Sequence, residues 1–308
     1  MTQSGELERL IVAARHWSPA RMALATVIAT WGSAPRPRGG HMLIHEDGRF
    51  EGSVSGGCVE GEVLLAAAAT IADGQTRRLD YGVADESAWA VGLPCGGQIE
   101  ILVQPVAAGG FPPALFEAIA AARAAGQTIA LTTDLASGAT SVGEDPGEGR
   151  FVNRYAPPRR LLIVGAVQIA QSLAAIAREL DVAPVLIDPR SRFLTEARFP
   201  GVLLDDRWPD EAIAAHRPDS ATAIVTLSHD PKIDDPALIA ALASPAMYIA
   251  ALGSRRSHAM RLERLALAGV READLTRIDA PAGLAIGAQG PAEIALSIAA
   301  GMVQAFRR

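Results

Sequence analysis

Short apolar runs alternating with helical stretches fill the second half of the chain, and no other feature restricts its fold as tightly. Arg160-Leu-Leu-Ile-Val-Gly165 is a strand-length run closed by glycine, a helical segment follows to Leu180, and Val182 to Asp188 is apolar again. Further apolar runs at Gly201–Leu204, Thr222–Leu227 and Met247–Leu252 are separated by helical segments in the same way. A strand followed by a helix and another strand has to cross over a sheet face, which makes the strands parallel and covers them on both sides. The spacing predicts a Rossmann-like, doubly wound parallel sheet, whose ligands would meet the carboxyl ends of its strands.

The first half reads differently. Glu6–Trp17 has apolar residues at helical spacing, Met22–Trp31 is a buried strand, and the loop Gly32-Ser-Ala-Pro-Arg-Pro-Arg-Gly-Gly40 leads to an apolar stretch, Met42–Ile44, and a turn at Glu46-Asp-Gly48. Val59–Ala72 is a helix ended by Asp73-Gly74, Gln98–Pro105 alternates as a strand, and Pro113–Ala125 is helical. Between Ser137 and Gly149 the chain is crowded with Gly, Asp, Glu, Ser and Pro, and Pro157-Pro158 follows. With 308 residues and roughly 100 to 200 per domain, we expect two domains. They are an N-terminal α/β domain over 1–154 and a Rossmann-like α/β domain over 155–308.

Charge and cysteine count remove several function classes. The formal net charge is -6 and no Lys/Arg block occurs, so the electrostatic footprint for nucleic acid or an anionic membrane is missing. The acidic start, Met1-Thr-Gln-Ser-Gly-Glu-Leu-Glu-Arg, is no secretory signal. No apolar stretch reaches the roughly 20 residues of a membrane helix, which leads us to expect a cytoplasmic protein. Two cysteines, Cys58 and Cys95, are too few for a disulfide framework and lack zinc-site spacing.

A dinucleotide fingerprint needs Gly-x-Gly-x-x-Gly at the first βα turn, where the second glycine lets a pyrophosphate approach. This chain has Gly165-Ala-Val167-Gln-Ile-Ala170, with a branched side chain at that second position. Asp188, at the end of the second strand, stands at the distance expected of a ribose partner. A nucleotide in this domain is therefore a candidate ligand. Two more groups follow strands, where such sheets bind ligands: Ser228-His229-Asp230 and Gly253-Ser-Arg255-Arg256. Ser254 is a plausible helix cap, and the free amides behind it would favour an anion.

Both cysteines lie in glycine-rich surroundings, Gly52-Ser-Val-Ser-Gly56-Gly57-Cys58-Val-Glu60 and Gly92-Leu-Pro-Cys95-Gly96-Gly97. Glycines let a bulky ligand come near the backbone, and a thiolate is a soft metal ligand or a sulfur acceptor. The alternative for each is an inert packed thiol, and composition does not choose between them.

The loop from Gly32 through Ser33, Arg36 and Arg38, the Ser-Gly-Gly-Cys-Val-Glu run and Leu-Pro-Cys-Gly-Gly resemble the xanthine dehydrogenase accessory (XdhC/CoxI) family. In the second half Val164-Gly-Ala, Ile187-Asp-Pro-Arg190, Ala251-Leu-Gly-Ser-Arg-Arg256 and the run from Ala280 to Ala295 resemble that family's Rossmann-like domain. Where members commonly carry Gly-Ala-Gly-His, this chain has Gly165-Ala-Val-Gln168. The resemblance implies an accessory protein without a turnover reaction, carrying molybdenum cofactor (molybdopterin) as cargo. It would protect the cofactor, support its sulfuration with a cysteine desulfurase and insert it into a molybdenum hydroxylase of the xanthine dehydrogenase type. On that reading Cys58 or Cys95 meets the molybdenum, the flanking glycines and Ser33 line the pocket, and Arg36, Arg38, Arg255 and Arg256 face the phosphate or pterin. A homodimer with a pocket shared between chains would shield such a cargo. The rivals are an NAD(P)-dependent oxidoreductase and a nucleotide-binding regulator, both resting on the Rossmann-like half and both leaving the paired cysteine loops unexplained.

Overall fold

Leu10, Ile11 and Ala14 give the first helix, α1 (Glu6–Trp17), one buried face, while Glu6 and Glu8 in its first turn and Arg15 and His16 in its last suit the helix dipole. The computed structural model describes residues 5–32, 36–82 and 97–307. Five strands follow in the first unit: β1 (Met22–Trp31), β2 (His41–His45), β3 (Phe50–Gly52), β4 (Arg77–Tyr81) and β5 (Gln98–Pro105). They form an antiparallel sheet in the order β3-β2-β1-β5-β4. The central strand is mostly apolar, and buried from Met22 to Ile28, because both of its faces are covered. Ala23, Ala25 and Val27 pack with Val63 and Ala67 of α2 (Glu60–Asp73), and Met22 and Leu24 pack with α1 and with Leu115, Phe116 and Ile119 of α3 (Ala114–Ala124). Gly74, in the left-handed region at φ 72°, stops α2 as its Asp-Gly signal suggests.

A three-stranded sheet in the order β7-β6-β8 completes this unit, built from β6 (Ile129–Asp134), β7 (Thr140–Val142) and β8 (Arg150–Tyr155). The polar stretch Ser137–Gly149, whose composition suggests the approach to a linker, holds β7 and the turns of this sheet. Hairpin turns and linkers draw on the same residues, so composition alone does not separate them. One compact unit ends at Pro157 and the other takes up the chain at Pro158.

The second unit contains β9 (Arg160–Val164), α4 (Gln168–Glu179), β10 (Ala183–Ile187), β11 (Leu203–Asp205), α5 (Pro209–His216) and β12 (Thr222–Thr226). It continues with α6 (Pro231–Leu242), β13 (Tyr248–Ala251), α7 (Arg255–Leu267), α8 (Glu272–Leu275), β14 (Ile278–Asp279) and α9 (Pro291–Ala305). All neighbours are parallel, in the order β11-β10-β9-β12-β13-β14. Counted within the unit this is 3-2-1-4-5-6, the Rossmann order, with the direction of growth reversing between β9 and β12. α4 and α9 bury Leu173, Ala177, Ile298 and Met302 on one face of the sheet, and α5, α6 and α7 bury Ile213, Leu238 and Leu265 on the other. Among the described residues no helix is long and apolar enough to cross a membrane.

Candidate functional site

Antiparallel pairing in the first unit brings five strand termini to one end of the five-stranded sheet. Thr26 lies opposite His41, Met42 opposite Gly52, Trp31 opposite Gln98, and Tyr81 opposite Ile99. The ends of β1, β3 and β4 and the starts of β2 and β5 therefore share this rim. The described residues 36–40 and 53–59, which carry Arg36, Arg38 and Cys58, adjoin it in sequence. Arg36 ties the two together, its Nε donating to the Ser53 carbonyl at 3.1 Å while its guanidinium also pairs with Glu6.

The loop carrying Cys58 is braced by the first residue of the helix behind it. Glu60 Oε1 accepts from Ser53 Oγ at 2.7 Å and from the Ser55 amide at 3.0 Å, and Oε2 accepts from the Gly57 amide at 2.8 Å and from Ser55 Oγ. The two hydroxyls in turn accept from the Gly56 and Val59 amides, each at 2.9 Å. Burial pushes the Glu60 carboxyl up, but these donors outweigh it and hold it down at about 2. Gly56 and Gly57 adopt φ 75° and 112°, and a Cβ on Gly52 would stand 2.4 Å from the His41 carbonyl oxygen. Val54 and Val59 are buried on either side of the turn, and the free thiol of Cys58 is exposed between them. The glycines thus let a short loop fold back on Glu60 and present one sulfur. Sequence reasoning missed Glu60 as a site residue, although hydroxyl residues shortly before an acid at a helix start are a readable bracing signal.

Beneath the rim lies a buried polar group. His41 hydrogen-bonds through Nδ1 to Thr26 Oγ1 and through Nε2 to the Tyr155 hydroxyl, both at 2.9 Å. Burial pushes His41 down to about 4 and the Tyr155 phenol up, so both are neutral near pH 7. The remaining first-unit positions are distributed as follows. Arg38 donates to the Ile28 carbonyl at 2.9 Å and lies over the Phe151 ring at 4.7 Å. Gly97 is buried just before β5, while Ser33, Cys95 and Gly96 lie outside the described residues. Trp31, 50% exposed at the end of β1, lines a 450 Å³ cavity with Arg78, Tyr81 and Gln98. Sequence reasoning missed it as well, because an aromatic at a strand end reads as core. Among the described residues no three His, Cys, Asp or Glu side chains are placed to hold a metal ion.

The Rossmann unit presents a second rim at the carboxyl ends of its strands. Gly165 has φ 105°, and a Cβ there would meet the Ser228 backbone nitrogen at 2.8 Å. Asp188 is 0% exposed and its oxygens are already engaged. Oδ2 accepts from the Ala166 amide at 2.8 Å and Arg190 Nη2 at 2.7 Å, and Oδ1 accepts from the Arg190 amide and Nε, both at 2.9 Å. Burial pushes its carboxyl up, yet these bonds leave it below the ordinary range. A ribose hydroxyl would have to displace them, which the sequence distance to the glycine turn did not reveal. Asp205 holds Arg207 in the same chelate one strand over, with 3.1, 2.9 and 2.5 Å contacts. His229 is exposed at φ 64°. Arg255 and Arg256 are the exposed first two residues of α7, whose cap Ser254 accepts the Ser257 amide at 3.1 Å. The structure therefore brings the Cys58 loop and Arg36 together in one unit, and Gly165, Asp188, His229, Arg255 and Arg256 onto the ligand-binding side of the other.

These features define a two-unit protein in which a glycine-cysteine rim on an antiparallel sheet is joined in sequence to a Rossmann-type unit. A model described as the XdhC Rossmann domain matches residues 161–302, and one described as the XdhC and CoxI family matches residues 18–82. The chain is 30% identical over 286 residues to the molybdenum cofactor insertion chaperone PaoD of Escherichia coli, covering 90% of this chain and 81% of that protein. It is 26% identical over 317 residues to a Bacillus subtilis protein described as a probable xanthine dehydrogenase component, covering 92% and 93%. A Bacillus halodurans crystal structure described as a xanthine dehydrogenase superposes with a TM-score of 0.77 at 24% identity, over 96% of this chain and 95% of that one; this likeness bears on the fold alone. The chain belongs to the XdhC/CoxI family.

Proposed function

We propose that this protein is a molybdenum cofactor insertion chaperone that carries the cofactor as cargo to a molybdenum hydroxylase of the xanthine dehydrogenase type, without a turnover reaction of its own. The observation that carries the reading is the exposed Cys58 thiol on a glycine turn fixed by Glu60. A metal that arrives with its own dithiolene ligands needs only one or two further soft donors, and a loop with that single thiol exposed is suited to give one. Arg36 and Arg38 are committed to Glu6, Ser53 and Ile28, so on this reading they shape the loop, and Trp31 offers a ring face for a pterin.

Delivery follows from differential affinity: the chain holds the cargo tightly enough to protect it and more weakly than the hydroxylase does. Sulfuration with a cysteine desulfurase, and a homodimer that encloses the cargo, extend the same proposal. The test is retention. The wild type, Cys58→Ser and Cys95→Ser are mixed anaerobically with molybdenum cofactor and desalted, and bound molybdenum and pterin are quantified. Retention by the wild type and its loss in Cys58→Ser is the expected result, and no retention by any of the three would overturn the proposal.

A further inference from the structure

Every buried side-chain nitrogen or oxygen without a hydrogen-bond partner among the described residues falls in one place: Thr226 Oγ1, His258 Nδ1, and Nε and Nη1 of Arg261. A buried polar atom left unmatched is destabilising, and a charged one more so, so four on neighbouring residues call for a partner. Thr226 ends β12 and its carbonyl accepts from the Leu252 amide at 2.9 Å. The Leu252 carbonyl accepts from Arg261 Nη2 at 2.8 Å, and His258 stands one turn before Arg261 on α7. The guanidinium is therefore lodged under the turn that joins β13 to α7, with Arg261 only 4% exposed.

Its own chain does not neutralise it well. The nearest carboxylate, Asp234, lies 3.9 Å from Nη2, beyond hydrogen-bond reach, and spends Oδ1 on Ser228 Oγ at 2.6 Å. Asp235 is engaged by Arg264 at 2.6 and 3.0 Å. Burial pushes the Asp234 carboxyl up, against the Ser228 hydroxyl and Arg261, which pull it down. Beside the guanidinium the turn passes through Gly253, whose φ of 141° favours glycine and whose Cβ position lies 3.7 Å from Nη2 and 4.0 Å from Nη1. The thirteen-residue helix α7 starts there with amides free to donate, and Arg255 and Arg256 are exposed with no ion pair among the described residues.

We propose that the turn Leu252–Arg256, with Arg261 beneath it, binds a phosphoryl group, Arg261 being the buried donor and Arg255 and Arg256 the outer ones. A phosphoryl group brings three acceptor oxygens, which suits a set made of guanidinium, hydroxyl and amide donors better than the two oxygens of a carboxylate. The first βα turn, where a Rossmann unit ordinarily seats phosphate, already gives its Ala166 amide to Asp188. The anion-binding role thus moves from the start of α4 to the start of α7. The site lies wholly in the second unit and does not depend on the cysteine rim.

Calorimetric titration of the full chain with inorganic phosphate and with pyrophosphate, against chloride at matched ionic strength, tests this. Saturable binding is expected, weakened about tenfold in Arg255→Ala/Arg256→Ala and lost in Arg261→Met. Should the buried substitution prevent folding, the exposed double variant decides alone. A nucleoside diphosphate and molybdopterin, each titrated in competition with pyrophosphate, then identify whether the phosphoryl group belongs to a nucleotide or to the pterin cargo. No saturable binding by the wild type, or equal affinity in the double variant, would overturn the proposal and leave the four atoms to water.

Discussion

The two rims use the same materials, glycine turns and a carboxylate at the start of a helix or the end of a strand, for opposite ends. At the cysteine rim, Glu60 gathers hydroxyls and amides so that a thiol is held out into solvent. At the first βα turn of the Rossmann unit, Asp188 gathers the Ala166 amide and Arg190 so that nothing is held out, and the position that would face a ribose is filled from within. A dinucleotide-type turn can therefore keep its acid and lose its vacancy. What distinguishes a ligand site from a structural clasp is which groups remain unmatched after the chain has satisfied itself.

The sharpest way to test that contrast is to remove the clasp. Asp188→Ala strands the Ala166 amide beside a buried hole and releases the partly exposed Arg190 to solvent, and we expect the second unit to lose about 2–3 kcal/mol in urea titrations. A loss below about 1 kcal/mol would mean that Asp188 is spare and free for a ligand after all.

An acid titration probes the other unit. His41 has its folded pKa depressed from 6.5 to about 4, so the unfolded chain takes up the proton first. The stability that follows from keeping it neutral is complete above pH 6.5 and is lost as pH falls through 4. The difference corresponds to about 3 kcal/mol. Replacing His41 by Gln should flatten the pH dependence of unfolding in that window, and an unchanged curve would show that another group carries it. Glu60 acts lower down, since its depressed pKa makes the loop brace complete above about 4.5 and weakens it as pH falls towards 2.

The smallest effect on stability belongs to Glu60→Gln, about 1–2 kcal/mol, because the amide keeps some acceptor capacity. Its effect on function should be larger: with fewer donors gathered, the Cys58 turn loosens and molybdenum retention should fall several-fold. Retention at the wild-type level would show that the loop does not need to be preformed.

Much of this is legible in the amino-acid sequence alone. The strand-helix alternation after Arg160 determines the parallel sheet, because crossovers leave no other arrangement, and the glycines around Cys58 mark an exposed turn. Other features are hidden from the sequence for physical reasons. The partners of Asp188 depend on how Arg190 folds back two residues later, which no spacing rule encodes. The turns between Ser137 and Gly149 share their composition with a linker. Arg261 sits in a helix as an ordinary surface residue would, and only burial exposes its missing partners. The rim that carries the Cys58 turn follows from antiparallel register, which becomes visible once strands pair.

Transfer tests the central claim most directly. Wild-type protein loaded anaerobically with molybdenum cofactor is mixed with a cofactor-free molybdenum hydroxylase of the xanthine dehydrogenase type, and hydroxylase activity and the location of molybdenum are followed together. The expected result is that molybdenum moves to the hydroxylase and activity appears, well above that seen with Cys58→Ser carried through the same loading. Molybdenum that stays on the wild type, or activation no greater than with the variant, would contradict it.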